Sequence, residues 1–310
     1  MTAFFDTPIE EAGNELKGPF RAPRQMLGSQ SYDGHASIHD DATAQKLGFR
    51  GGTIEGPTHF SQFDPLAARL FGEDWFESGC ISSHFRNPVF EGDKVRAIVS
   101  LPETHLQRAA IRMEREDGLE VLRGTISVGP DHPPSALDER LAGLAPLEGA
   151  RILADVGIGM RTPRRRIGMD FDQHMGELYP FTLAQKLERI TEPSPLYREG
   201  AGRWTKPVIP FEMLSVLFCH INKRDPFPVR GPVVGLFADQ EIRLLRGPLH
   251  VGQVYDIERE VVALSGSRRT ESMWVRSTVY DVGGTEPLAS MLLNQASLKA
   301  SYSGYDEASS

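Results

Sequence analysis

Two stretches of this chain are built alike. Arg86-Asn87-Pro88-Val89-Phe90-Glu91-Gly92 and Arg246-Gly247-Pro248-Leu249-His250-Val251-Gly252 both read R-x-P-[VL]-x-x-G, 160 residues apart. A β-prone run precedes each copy, at residues 80–85 and 236–245, and another follows, at 95–101 and 254–264. Pro presets φ and Gly tolerates positive φ, so each motif predicts a turn between two strands. A second correspondence lies upstream. Phe60, Phe63, Leu66, Ala67 and Leu70 follow helical spacing, and Phe211, Leu214, Leu217, Phe218 and Ile221 repeat the same offsets 151 residues later. Gly56-Pro57 introduces the first stripe and Pro210 the second, as suits a helix start. Pro65 lies inside the first stripe, where it should kink the helix or end a short turn before a second one.

Each half therefore predicts an apolar helix followed by several strands. The later strands fall at 105–114 and 119–129 in the first half, and at 272–281 and 288–298 in the second. Short turns at Asp117-Gly118 and Gly283-Gly284 favour antiparallel pairing, and one helix laid across such a sheet buries its stripe. The breaker cluster Gly129-Pro130-Asp131-His132-Pro133-Pro134 separates the halves. The division expected is an N-terminal repeat over 1–135, a linker with a short helix over 136–152, a C-terminal repeat over 153–302, and a frayed polar tail over 303–310.

Composition narrows the function. With 310 residues, 40% hydrophobic and 25% charged, the chain can bury a sizeable core. It has no apolar run of transmembrane length, and residues 1–8 lack the pattern of a secretory signal. A formal charge of −8 argues against nucleic acid as a partner. Cys80 and Cys219 stand apart with no CxxC, which suggests free thiols in a reducing compartment, the cytoplasm, and no structural zinc. No GxGxxG, P-loop, GxSxG or HExxH occurs, so nucleotide-dependent, lipase-type and zinc-protease classes find no support.

A helix introduced by Gly-Pro, a strand, and the turn Arg86 to Asp93 (R-N-P-V-F-E-G-D) resemble the hotdog fold of the MaoC-like hydratases and dehydratases, among them the (R)-specific enoyl-CoA hydratases. Some members carry two copies in one chain. The segment Tyr32-Asp33-Gly34-His35-Ala36-Ser37-Ile38-His39-Asp40-Asp41-Ala42 is similar to that family's active-site loop, roughly D-x-N-P-[IL]-H-x-[DE]. Residues 48–56 resemble the stretch that leads into its central helix. The loop departs from the pattern: Gly34 sits five residues before His39, Asp33 sits six before, and Ala36-Ser37 replace Asn-Pro. A one-residue insertion absorbed at Gly34 leaves Asp33 near His39; the alternatives are His35 in the acid/base position, or no dyad. In the second copy Tyr197 aligns with His39 and no His is offered, so chemistry is expected in the first copy alone.

The resemblance implies an α+β double hotdog that adds or removes water at the 2,3-bond of an acyl thioester, carried on coenzyme A or acyl carrier protein. No metal or redox cofactor is expected, no membrane or nucleic acid is engaged, and two such chains could pair. That chemistry needs a base, a proton donor, and donors that hold the thioester oxygen. The implied roles fall to Asp33 and His39 for proton transfer and to the Gly56 amide, helped by Thr58, for the oxygen; Pro57 has no N–H to give. Glu55, His59 and His84 are weaker candidates, Trp75 and Trp204 are possible pocket walls, and Arg161, Arg164, Arg165 and Arg166 form a basic run that could meet phosphates. A hotdog thioesterase using Asp33 or Glu55, and a non-catalytic acyl-thioester binder, are the alternatives.

Overall fold

The structure is a computed structural model that describes residues 4–31, 37–101 and 107–308. In the first half, strands β1 (Glu10–Ala12) and β2 (Glu15–Lys17) precede α1 (Asp41–Lys46) and a 3-10 segment, Gly56–Gln62. Helices α2 (Asp64–Phe71) and α3 (Asp74–Ser78) follow, then β3 (Gly79–Phe85), β4 (Val95–Ser100), β5 (Arg108–Arg115) and β6 (Glu120–Val128). The linker helix α4 (Ala136–Ala142) begins with a capping box between Ser135 and Asp138. The second half holds β7 (Arg165–Gly168), α5 (Leu183–Leu187), α6 (Phe211–Cys219), β8 (Gly235–Leu244), β9 (Val254–Gly266), β10 (Thr270–Asp281) and β11 (Pro287–Leu298).

All these strands join one antiparallel sheet in the order β1-β2-β4-β5-β6-β3-β8-β11-β10-β9-β7. The run β4-β5-β6-β3 mirrors β9-β10-β11-β8, so the sequence repeat is a structural repeat. The halves meet where β3 pairs with β8, from Cys80 opposite Arg243 to His84 opposite Asp239. That pairing covers a backbone edge that each half would otherwise expose. Both R-x-P turns sit as expected, between β3 and β4 and between β8 and β9. Their final glycines, Gly92 and Gly252, have φ of 90° and 76°.

The central helices differ between the copies. A long helix is the simple expectation, but the first copy is 3-10 over Gly56–Gln62 and α-helical only from Asp64. Pro65 is the cause. It cannot donate to the carbonyl of Ser61, so it sits in the first turn of α2, where no donor is required. The second copy has Val216 at the matching offset and runs as the nine-residue α6. Phe60, Phe63, Leu66, Leu214, Leu217 and Phe218 are all buried. Trp75 stacks on Phe211 with ring centroids 4.5 Å apart, and Trp204 packs against Phe4 and Phe76. Trp75 is thus a core residue, and Trp204 is partly buried against the core. Within the C-terminal segment Ser303–Ala308 forms 3-10 turns, and the Tyr305 hydroxyl donates to Glu271. Among the described residues no helix is long and apolar enough to cross a membrane.

Candidate functional site

The sequence motifs meet around His39. Asp40 caps α1 by accepting from the Thr43 amide at 2.8 Å, and Asp41 accepts from the Gly52 amide at 2.7 Å, which draws residues 51–53 back against the loop. Gly52 is required there, because a Cβ would lie 2.3 Å from the His39 carbonyl oxygen. Thr53 then bridges to Phe90, and the Ile54 amide donates to Val89 at 2.8 Å, so the R-N-P-V-F-E-G-D turn is fastened to the same strip of backbone. Arg50 pairs with Asp93 and lies over the Phe90 ring. The result is a cavity of about 420 Å³ whose wall includes His39, Thr53, Glu55, Gly56, His59 and Asn87.

His39 is half-buried, and its Nδ1 lies 2.6 Å from the Thr53 carbonyl oxygen. A carbonyl only accepts, so Nδ1 carries the proton and Nε2 presents its lone pair. Burial lowers the imidazole pKa against the opposing pull of that carbonyl, which favours the neutral ring. Gly56 opens the 3-10 segment, and its amide makes no hydrogen bond with the described residues. A Cβ there would come within 2.5 Å of the Phe85 ring, so no larger residue fits. Thr58 departs from the expected role. It is off the cavity wall, its amide donates to the Glu55 carbonyl at 3.1 Å, and its hydroxyl accepts from Lys186 at 3.1 Å. Asp33 and His35 lie outside the described residues.

Behind the cavity the two repeats share a buried polar cluster. Glu55 accepts from the Tyr179 hydroxyl at 3.2 Å, and burial lifts its carboxyl to about 7, aided by Glu212 and opposed by Lys186 and Tyr179. Lys186 lies 3.7 Å from Glu212, which also accepts from Ser61 at 2.9 Å. Burial, with help from the Lys186 charge, holds His59 down to about 3, and its Nδ1 has no partner among the described residues. Asp64 accepts from Trp75 at 2.9 Å and from Tyr197 at 2.8 Å, yet burial still pushes it up to about 8. Tyr197, the counterpart of His39 by alignment, is thus turned into the core and away from the cavity.

Other sequence candidates resolve differently. His84 is held by Asp239 at 2.7 Å. The basic run is neutralised along β9 and the segment after α6: Arg161 pairs with Glu260, Arg164 with Glu258, Arg165 with Asp225, and Arg166 with Asp256. It is therefore no ready phosphate patch. Among the described residues no group of three His, Cys, Asp or Glu is placed to hold a metal ion. Sequence reasoning missed Arg259 and Asn222, which bring the second repeat into the cavity wall. The signal for Arg259 was a charge at an apolar phase of β9, between Ile257 and Val261.

No protein-family profile matches this sequence, and no curated protein is similar to it in sequence. Solved structures are similar in fold. A Chloroflexus aurantiacus protein assigned as a MaoC-domain dehydratase superposes with a TM-score of 0.55 and 13% identity, over 96% of this chain and 99% of its own. A conserved Mycobacterium tuberculosis protein with a double hotdog fold gives a TM-score of 0.51 and 13% identity, over 88% of this chain and 89% of its own. The chain is an α+β double hotdog, and the expected fold class holds.

Proposed function

We propose that this protein adds or removes water at the 2,3-bond of an acyl thioester, with the reaction centred on the first repeat. The observation that carries the reading is the convergence, in one cavity, of an imidazole whose Nε2 and a backbone amide whose N–H both have no hydrogen-bond partner among the described residues. In the hydration direction His39 Nε2 takes a proton from water, and the water oxygen adds to C3. The π electrons shift toward the thioester oxygen, which the Gly56 amide holds, and C2 then receives a proton. Positioned proton transfer contributes about 10²–10⁴-fold, and preorganised donors at the developing oxyanion contribute comparably.

Asp33 is assigned the second proton-transfer role by resemblance; Glu55, a carboxyl on the cavity wall that is part-protonated near neutral pH, is the other group suited to it. The second repeat then serves as fold partner and pocket wall. The test is a panel of enoyl-, 3-hydroxyacyl- and saturated acyl-CoA compounds read by mass spectrometry, with wild type, Asp33→Asn, Glu55→Gln and His39→Ala. Interconversion of enoyl- and 3-hydroxyacyl-CoA that falls by about 10²-fold or more in folded His39→Ala is expected. Undiminished turnover in that variant would remove His39 from the mechanism. Release of free CoA from saturated substrates would mark a thioesterase instead.

A further inference from the structure

Strand β9 places alternate side chains inward, and Tyr255, Ile257 and Val261 on that face are at most 1% exposed. Arg259 shares the face and is 6% exposed. Its described partners are neutral: Nη1 donates to the Asn222 side-chain oxygen at 2.9 Å, Nη2 donates to the backbone carbonyl of Asp225, and the guanidinium lies 5.1 Å from the centre of the Phe227 ring. The Asp225 carboxylate is committed elsewhere, to Arg165, with both oxygens at 2.8 Å. No described carboxylate forms an ion pair with Arg259. A guanidinium stays protonated when buried, so its desolvation is offset only at longer range, by the Asp225 carboxylate that Arg165 already holds, and by no directly bound anion among the described residues. Two of its N–H groups are used, one on the Asn222 side chain and one on the Asp225 backbone carbonyl, and the other three have no hydrogen-bond partner among the described residues. Both Arg259 and Asn222 line the cavity that holds His39 and Gly56, and Val233 and Met273 give that part of the wall an apolar character.

We propose that Arg259, steadied by Asn222, is a carboxylate-binding subsite, and that the preferred ligand is the thioester of a dicarboxylic acid whose second carboxylate meets this guanidinium. The assignment of the carboxylate to an acyl thioester rests on the reading above. Arginine's planar fork matches two carboxylate oxygens, and an enclosed, largely apolar surround strengthens the pair. The acyl end is favoured over the phosphates of coenzyme A because Arg259 lies on the inner face of the sheet among core residues, whereas multiply charged, strongly hydrated phosphates belong at the mouth of a pocket.

Binding of saturated, unreactive thioesters to the full chain tests this without turnover. Calorimetry would compare succinyl-, glutaryl- and adipoyl-CoA with butyryl-, pentanoyl- and hexanoyl-CoA, and with coenzyme A alone. At least one dicarboxylyl thioester is expected to bind about tenfold or more tighter than its neutral counterpart. Arg259→Met is expected to abolish that preference, and Arg259→Lys to keep part of it, with affinity for coenzyme A alone unchanged. Equal affinities across every pair in the wild type would overturn the subsite, whatever the variants do. So would an Arg259→Met loss shared equally by coenzyme A alone, which would make the bound anion a phosphate. A preference present in binding, with no hydration of the matching enoyl compounds, would count against the proposed reaction and leave the subsite standing. Failure of every thioester to bind would overturn both.

Discussion

Within the cavity wall, chemical character is set by a few short contacts. The 2.6 Å approach of His39 Nδ1 to the Thr53 carbonyl decides which ring nitrogen is left to act as base. The motif around His39 was legible in the sequence, because a loop motif is a run of neighbouring residues. The character of Glu55 was not. Its pKa is raised by burial in the packed chain and held back by Lys186 and by the Tyr179 hydroxyl, 124 positions away in sequence, both from the second repeat. A pH prediction belongs to this scale. With His39 needed neutral and its pKa lowered, the acidic limb of kcat/KM should lie below the ordinary histidine value of 6.5. With Glu55 as proton donor, the rate should fall as pH rises through about 7. Glu55→Gln should then reduce kcat/KM by about tenfold or more and erase the alkaline limb. An unchanged alkaline limb in that variant would leave the role to Asp33.

The elements that carry the site owe their shapes to single residues. Pro65 divides the first central helix, and the sequence announced this because a missing N–H acts locally whatever the tertiary context. The long strands were equally legible from alternation and punctuation, and β4 and β10, for example, begin and end within two residues of the expected bounds, whereas the short β1, β2 and β7 were not foreseen. The contact between the 3-10 segment and α6 was not legible. It rests on Ser61, Glu212 and Lys186, whose meeting depends on three separate segments packing together. Removing the cation from this buried pair should be costly. Lys186→Met is expected to destabilise the protein by about 3–5 kcal/mol, because Glu212 would be left buried and uncompensated. The double variant Lys186→Met/Glu212→Gln should recover much of that loss, as read by urea denaturation. Equal losses in the single and double variants would show that the pair contributes packing alone.

Across the whole molecule, the two repeats are held by the β3–β8 pairing and by buried groups such as Asp64, which reaches Tyr197 of the other half. Asp64 couples that cohesion to pH. Its folded pKa of about 8 lies above the ordinary value of 3.8, so its contribution to stability is fully present below about 4 and is lost as pH rises toward 8. Glu55 and Glu212, also raised by burial, act in the same direction, while His59, lowered by burial, opposes them below its ordinary 6.5. Asp64→Asn keeps an acceptor for Trp75 without a charge to bury, and its amide N–H can meet the Tyr197 hydroxyl oxygen with the direction of that bond reversed. Its melting temperature relative to wild type should therefore rise between pH 5 and pH 8, and a constant difference across that range would contradict the account. The sequence by itself determined the duplication, the phases of the main strands, both turns and the break at Pro65. Each of these follows from local backbone chemistry or from a periodicity that neighbouring residues express together. Only the tertiary structure decided that Trp75 and Tyr197 serve the core, that the arginine run is neutralised, and that Glu55 and Arg259 face one cavity. Burial and pairing across more than a hundred residues are properties of the packed chain, and no local pattern encodes which distant carboxylate or cation a side chain will meet.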